Sequence, residues 1–303
     1  MLLVVLTVLV AGAAGVAAER RLSTAGRAAR RVLALMLYVL VPFVSFVNIA
    51  HLHITVAGGT GLVLAGAATG LAGVGAWLAG RALRLPRPQA GALICCAILV
   101  NTGYLGYPMT VTLLGSRQLG SAIVYDQLVG GPMLFLVGFG VGAAFGTRAG
   151  EGLRARGRAF LSRNPPLLAV LAGLLAPASL APAGLVSISH VVVGALLPLG
   201  FFVVGVNVSA ERREDSAPLL ERPDRAVLAA VALRLLVAPL VLVAVSATVV
   251  RLPSAYLLQA AMPTAINSLL VGHAYGLHQR MIATAIVWST LVTLLLGLVI
   301  AAV

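Results

Sequence analysis

The chain has 303 residues, of which 60% are hydrophobic and only 10% are charged. Soluble domains carry about 25% charged and 45–50% apolar residues, so this composition excludes a water-soluble enzyme or a nucleic-acid-binding domain. The net charge of +13 arises from arginines without any lysine, and these arginines lie in short groups between apolar runs. The sequence therefore predicts an all-α protein that crosses the lipid bilayer several times and has no nucleic-acid partner.

A membrane-spanning helix needs about 20 mostly apolar residues, and ten runs in this chain approach that length. We therefore predict ten transmembrane helices, at residues 2–18, 32–50, 57–80, 90–113, 121–146, 165–181, 185–208, 226–250, 254–273 and 281–302. The first run is expected to be a retained helix because its arginines follow the apolar stretch, whereas a signal peptide carries them before it.

The positions of the arginines predict the orientation of these helices. Eighteen of the 21 arginines fall in the loops that follow the odd-numbered runs. Under the positive-inside rule those loops are cytoplasmic, and both termini lie outside. The absence of lysine beside abundant alanine, glycine and valine is associated with bacterial genomes, so we expect a multi-pass protein of the bacterial inner (plasma) membrane.

Five spans in each half place the two halves in the membrane with opposite orientations, which is a common transporter architecture. We therefore predict two inverted five-helix repeats, residues 1–150 and 151–303, in one membrane domain. The prolines support this division independently. The spacing of Pro42 and Pro108 differs by one residue from that of Pro198 and Pro263, and each pair falls in the second and fourth spans of its half.

The fourth and ninth runs each carry a polar motif around a proline. A proline inside a helix removes a hydrogen bond, and lipid tolerates the freed backbone groups only beside a cavity or another part of the protein. We therefore predict two broken helices that cross, with ordinary proline kinks as the alternative. The candidate substrate-binding residues in these motifs are Asn101, Thr102, Gly103, Gly106, Pro108, Gln259, Pro263, Thr264 and Asn267.

A pair of broken helices has ends with a partial positive charge and ends with a partial negative charge inside the membrane. The N-terminal ends carry roughly half a positive charge each and attract a carboxylate, while the carbonyl ends could instead hold a cation. Asp126 is the one carboxyl group within an apolar run and is a candidate for proton or cation coupling, with a helix-terminal residue near water as the alternative. Arg234 is expected to extend to the cytoplasmic interface. No metal site, cofactor or catalytic residue is predicted.

Several stretches are similar to a known family over nearly the full length of the chain. They are Tyr38-Val-Leu-Val-Pro42, Asn101-Thr-Gly-Tyr-Leu-Gly-Tyr-Pro108, Tyr125-Asp126, Asn164-Pro-Pro166 and Gln259-Ala-Ala-Met-Pro-Thr-Ala-Ile-Asn267. With them the chain resembles the auxin efflux carrier family, including its bacterial members. The resemblance implies a ten-helix inverted-repeat fold with a scaffold and a transport domain, related to bile-acid symporters and sodium–proton antiporters. It also implies transport of organic anions, which are auxin in plants and dicarboxylates for some bacterial relatives.

We therefore predict a secondary transporter that moves small organic anions, mono- or dicarboxylates, by elevator-type alternating access. Efflux is favoured because a monovalent anion gains about 2.3 kcal/mol per 100 mV on leaving a negative interior. One alternative is a sodium- or proton-coupled symporter of the bile-acid type, and another is a non-transporting membrane receptor or assembly subunit. The expected partners are an organic anion, H⁺ or Na⁺, the bilayer and a second copy in a homodimer.

Overall fold

The computed structural model describes residues 1–51, 56–147, 165–214 and 221–302. Regular structure in these residues is helical, and the only β-type pairing among them is a single isolated bridge. Seven helices in this part of the chain are long and apolar enough to cross a membrane. The protein is therefore an all-helical membrane protein, as predicted. The connection 148–164, which holds Asn164 of one motif, lies outside the described residues.

The first half contains three long helices, an interrupted one and a further long helix. They are α1 (Leu2–Arg21), α2 (Ala25–Ile49), α3 (Val56–Ala82), α4 (Arg87–Ile98), α5 (Tyr107–Leu114) and α6 (Ser116–Phe145). Within α2 a π-helical turn, Met36–Leu40, ends two residues before Pro42. A proline ring clashes with the carbonyl of the residue four positions earlier, here Tyr38, and the wider π turn accommodates that carbonyl without ending the helix.

The second half begins after the residues that are not described. Its helices are α7 (Pro165–Leu175), α8 (Ala183–Glu214), α9 (Arg225–Thr248), α10 (Ser254–Ala260), α11 (Asn267–Tyr275) and α12 (Gln279–Ala302). Helix α9 starts at an N-cap, because the Asp224 carboxylate accepts a hydrogen bond of 2.8 Å from the backbone N–H of Val227. A π turn, Leu233–Val237, lies in the middle of α9 and carries Arg234.

The helix lengths differ from the predicted runs in two ways. The run 90–113 is divided between α4 and α5, and 254–273 is divided between α10 and α11. The run 165–181 contains the eleven-residue α7 and a short 3₁₀ turn, Ala178–Leu180. The long helices also continue past the apolar runs, so several predicted ends were wrong: α2 begins seven residues early and α8 continues to Glu214. Arginine is a good helix former whose charged group can reach water, and arginine-bearing turns therefore stay helical.

Glycines set the closest contact between helices. α1 packs along α8, and a side chain at Gly15 or Gly205 would overlap the backbone of the opposite helix. Small residues that allow backbones to approach are the usual means of helix association in lipid. α7 packs in the same way on the second half of α2, where Gly173 faces the backbone carbonyl of Phe46. α4 lies among five other helices, since it contacts α3, α6, α9, α11 and α12.

Candidate functional site

Two non-helical segments meet in the interior of the molecule. Residues 99–101 separate α4 from the π turn Thr102–Gly106 that leads into α5, and residues 261–266 separate α10 from α11. The two segments run antiparallel to each other, and Val100 forms an isolated β-bridge with Thr264. We call residues 99–101 and 261–266 the crossing. The second segment lies within the proline motif 259–267, and the first ends at Asn101, the first residue of the motif 101–108.

Backbone hydrogen bonds join the two segments of the crossing directly. The N–H of Asn101 donates to the carbonyl of Pro263 at 2.8 Å, and the N–H of Ala265 donates to the carbonyl of Leu99 at 2.9 Å. An unpaired buried backbone group costs free energy comparable to a lost hydrogen bond. The crossing therefore satisfies, between its own segments, part of the hydrogen-bonding capacity that each interrupted helix has lost.

Thr264 fixes the crossing to its surroundings. Its hydroxyl donates to the carbonyl of Cys96 at 2.9 Å, and its backbone N–H donates to the hydroxyl of Ser289 on α12 at 3.1 Å. The Thr264 side chain is fully buried. These contacts use both the donor of the side chain and the donor of the main chain, so Thr264 holds the crossing in place.

A cavity of about 110 Å³ opens on one side of the crossing, between α2, α6 and α7. One water molecule needs roughly 10–15 Å³ of such space, so the cavity has room for several waters or a small organic molecule. The residues that begin the two continuing helices line it, at 101–104 and 265–267. Its other side is largely apolar, with Leu134, Phe135 and Pro166.

Asp126 faces the same cavity from the middle of α6. Its carboxylate accepts hydrogen bonds from three side chains: the hydroxyl of Thr102, the phenol of Tyr107 at 2.6 Å and the amide of Gln127 at 2.8 Å. The interpretation as a helix-terminal residue near water does not fit this position, because α6 begins at Ser116 and Asp126 contacts the start of the π turn. Asp126 is therefore the carboxyl group of the cavity.

Arg234 is not among the residues that line the cavity, and its side chain is fully buried beside the crossing. Nη1 donates to the carbonyl of Ala97 at 3.0 Å and Nη2 donates to the carbonyl of Ala260 at 2.6 Å. The expectation that Arg234 extends to the cytoplasmic interface is wrong. The guanidinium has five donors, and the two carbonyl ends beside it have lost their helical partners. An arginine within an apolar run, with no carboxyl group near it in sequence, was the signal for this role.

The candidate residues of the two motifs divide into two groups. Asn101, Thr102, Gly103 and Asn267 line the cavity. Those that lie outside it are Gly106, Pro108, Gln259, Pro263 and Thr264. Sequence reasoning missed the lining residues that α6 contributes besides Asp126, among them Gln127 and Phe135, because only the packing of α6 against the crossing brings them to the cavity.

Gln259 and Gly106 form a close contact away from the cavity. A side chain at Gly106 would overlap the amide of Gln259, whose nitrogen donates to the hydroxyl of Thr110 at 3.4 Å. These residues therefore pack α10 against the helix that continues from the crossing. Cys95 and Cys96 are buried free thiols in α4, and the described residues contain no group of three metal-ligating side chains.

Comparison with known proteins gives the family. The sequence profile of the family described as "Membrane transport protein" matches residues 1–141 and 160–301. An uncharacterized transporter of Methanothermobacter thermautotrophicus is 28% identical over 228 residues, covering 74% of this chain and 71% of that protein. An uncharacterized transporter of Methanocaldococcus jannaschii is 25% identical over 236 residues, with coverage of 74% and 71%. The chain therefore belongs to the membrane transport protein family, which is the auxin efflux carrier family expected from its motifs.

Proposed function

We propose that the protein is a secondary transporter that moves small organic anions across the membrane by alternating access. One observation carries the proposal: the residues that begin both continuing helices line a single cavity. Helix N-termini carry roughly half a positive charge each and present backbone N–H groups, which makes them binding sites for carboxylates. An anion in this cavity would meet two such ends without a salt bridge strong enough to trap it.

The lining favours a small carboxylate with a short apolar body. Asn101 accepts a hydrogen bond from the N–H of Leu105 at 3.3 Å through Oδ1, so the nitrogen of the same amide is the atom that can donate to a ligand. Asn267 offers a second amide at the start of α11. Phe135 and Leu134 face these amides with apolar surface. We propose Asn101, Thr102, Gly103 and Asn267 as the substrate-binding residues.

The transport movement is proposed to be of the elevator type. α1, α2, α7 and α8 would form a static scaffold, and the helices that pack around α4 would carry the cavity across the membrane. This division is supported by the glycine contacts within the first group, α1 with α8 and α7 with α2. The proposal includes ten spans as two inverted repeats, 1–150 and 151–303, with both termini outside, in the inner membrane of the cell.

Asp126 favours a second candidate, proton-coupled transport. Its carboxylate faces the cavity that would hold the anion. Two like charges 4 Å apart repel by about 4 kcal/mol at an effective dielectric constant of 20, so a bound anion would favour the protonated carboxyl group. A proton could therefore move with the substrate. Without such coupling, the membrane potential alone would drive efflux of an anion from the cell.

Flux in proteoliposomes tests the proposal. The purified protein would be offered a panel of labelled mono- and dicarboxylates, with potential, pH and sodium set independently. We expect saturable flux of at least one anion, and a loss of about 10- to 100-fold when Asn101→Ala or Asn267→Ala removes a donor from the cavity. Asn207→Ala is the matched control, because this amide on α8 does not line the cavity. Absence of flux for every anion would refute the substrate class and favour a receptor or an assembly subunit.

Asp126→Asn separates the two modes of energisation. If a proton travels with the anion, the variant keeps binding but its flux no longer responds to a pH gradient. If efflux follows the potential alone, wild type and variant respond to pH equally. Gln127→Ala is the control, since it removes one hydrogen bond to the same carboxylate and leaves the titratable group in place.

A further inference from the structure

We propose that Arg234 is a built-in cation of the crossing, which occupies the carbonyl ends of both interrupted helices and makes transport independent of sodium. The inference rests on the proposed transport function for its flux measurement alone. Arg234 and the two carbonyls that it contacts belong to residues outside the cavity lining. These carbonyls are released from helical hydrogen bonds by the two interruptions.

The first released carbonyl belongs to Ala97 in the last turn of α4. In an uninterrupted α-helix it would accept from the N–H of Asn101, four residues on. That N–H instead donates to the carbonyl of Pro263 across the crossing. The carbonyl of Ala97 therefore needs a donor from outside its own helix.

The second released carbonyl belongs to Ala260, the last residue of α10. Its helical partner would be the N–H of Thr264, which donates to the hydroxyl of Ser289 instead. Two backbone oxygens thus come together at the partially negative ends of two helices. Such ends of interrupted membrane helices are where transporters commonly coordinate Na⁺ or H⁺.

Arg234 supplies the positive charge at this place. One guanidinium nitrogen donates to Ala97 and the other to Ala260, so a single side chain joins both helix ends. Arg234 is absent from the ion pairs of the described residues, and its Nε has no hydrogen-bond partner among them. The two carbonyl ends therefore provide its compensation. A guanidinium is weakly hydrated and permanently charged, which suits it to a buried site.

A permanently bound cation has a functional consequence. A sodium ion that couples transport must bind and leave in each cycle, whereas Arg234 is covalently attached and stays with the crossing. A second cation at the same oxygens would meet both steric exclusion and charge repulsion. The crossing therefore keeps its negative ends neutralised throughout the cycle and leaves its positive ends for the anion.

Thermal unfolding of the purified protein in detergent tests the inference without any transport assay. Sodium chloride would be exchanged for choline chloride at constant ionic strength. We expect the Tm of the wild type to be unchanged by sodium. We expect Arg234→Ala to have a lower Tm that recovers in part with millimolar methylguanidinium, which can enter the vacated space. Arg251→Ala, at an exposed position, should show neither effect.

Two results would overturn the inference: a saturable rise in the wild-type Tm with sodium, or an Arg234→Ala variant as stable as the wild type. If Arg234→Ala does not fold, Arg234→Lys takes its place. A lysine ammonium is a point charge that cannot reproduce the planar fork, so this variant should unfold at a lower temperature than the wild type.

The flux measurement completes the test. Wild-type anion flux should be the same in sodium and in choline, and a sodium-dependent rise of about tenfold or more would contradict the inference. If the wild type moves no anion at all, the proposed function fails, and the unfolding measurements still decide the role of Arg234. The two failures are thereby distinguishable.

Discussion

Two buried arginines of this protein obtain their compensation in different ways. Arg234 in the crossing binds backbone carbonyls, whereas Arg212 near the end of α8 forms an ion pair with Glu221. Both are nearly inaccessible, with exposures of 0% and 2%. The difference shows when a buried arginine requires a carboxylate partner. Interrupted helices already provide negative ends, and a carboxylate beside Arg234 would leave those ends without their cation.

The Glu221 cluster joins three parts of the chain that are distant in sequence. Arg280 on α12 is the second ion-pair partner of Glu221, and the Trp288 indole N–H donates to the backbone carbonyl of Glu221 at 2.8 Å. Arg212 also donates to the hydroxyl of Thr284. Glu221, just before α9, is therefore held against α12 and the end of α8. In the proposed elevator arrangement, this cluster would connect the scaffold to the moving part.

The largest loss of stability is expected when Arg234 loses its hydrogen-bond donors. Arg234→Met keeps the volume of the side chain but removes its donors, which leaves the carbonyls of Ala97 and Ala260 unpaired. Each buried unpaired group costs about 1–3 kcal/mol, so we expect a loss of about 2–6 kcal/mol in the free energy of unfolding. Denaturant unfolding in mixed micelles measures it. Arg251→Met is the control, and equal stability of the two variants would contradict the assignment.

A smaller loss of stability is expected when Glu221, the carboxylate that pairs with Arg212, loses its charge. Glu221→Gln keeps the shape of the side chain but removes the charge that two arginines share. Hydrogen bonds to charged groups contribute about 1.5–3 kcal/mol, and the lower part of that range applies because the Glu221 side chain is 23% exposed. The same unfolding measurement checks it. A loss of stability larger than that of Arg234→Met would contradict the expected order of the two effects.

The acid dependence of stability should come from the Glu221 cluster and not from Arg234. Hydrogen bonds from Arg280, and those from Arg212 with the charges of both, lower the pKa of Glu221 from 4.5 to about 2 against the opposing effect of partial burial. A lowered folded-state pKa contributes stability above pH 4.5 that is lost as the pH falls toward 2. The difference in Tm between wild type and Glu221→Gln should therefore shrink below pH 4.5. A constant difference would show that the charge does not stabilise the fold.

The smallest loss of stability is expected at the ion pair between Arg213 on α8 and Glu19 on α1. Arg213 pairs with Glu19 at 3.1 Å, but its side chain is 69% exposed. Exposed pairs contribute about 0–1 kcal/mol and are screened by salt. Arg213→Ala should therefore change the free energy of unfolding by less than about 1 kcal/mol, and by less still at high salt. A loss equal to that of Glu221→Gln would mean that burial does not distinguish the two pairs.

Local signals were enough to predict the class of the protein and the neighbourhood of its two non-helical segments. Composition predicted helices in a membrane. The motif 259–267 contains one non-helical segment, and the motif 101–108 begins at the last residue of the other. A proline alters only the hydrogen bonds of its own turn, so Pro263, inside a non-helical segment, marks its break more closely than Pro108, which lies seven residues after Asn101. The lengths of helices were less predictable, since arginines that end an apolar run continue the helix.

The amino-acid sequence by itself determined that this chain enters a membrane, that its interruptions fall at two polar motifs and that its family is one of transporters. The tertiary structure alone decided what surrounds those interruptions. Arg234 lies 137 residues from Ala97, and Asp126 lies 24 residues from Thr102. A buried charge takes whichever partner the fold brings to it, and that partner follows from packing over distances that no local pattern records.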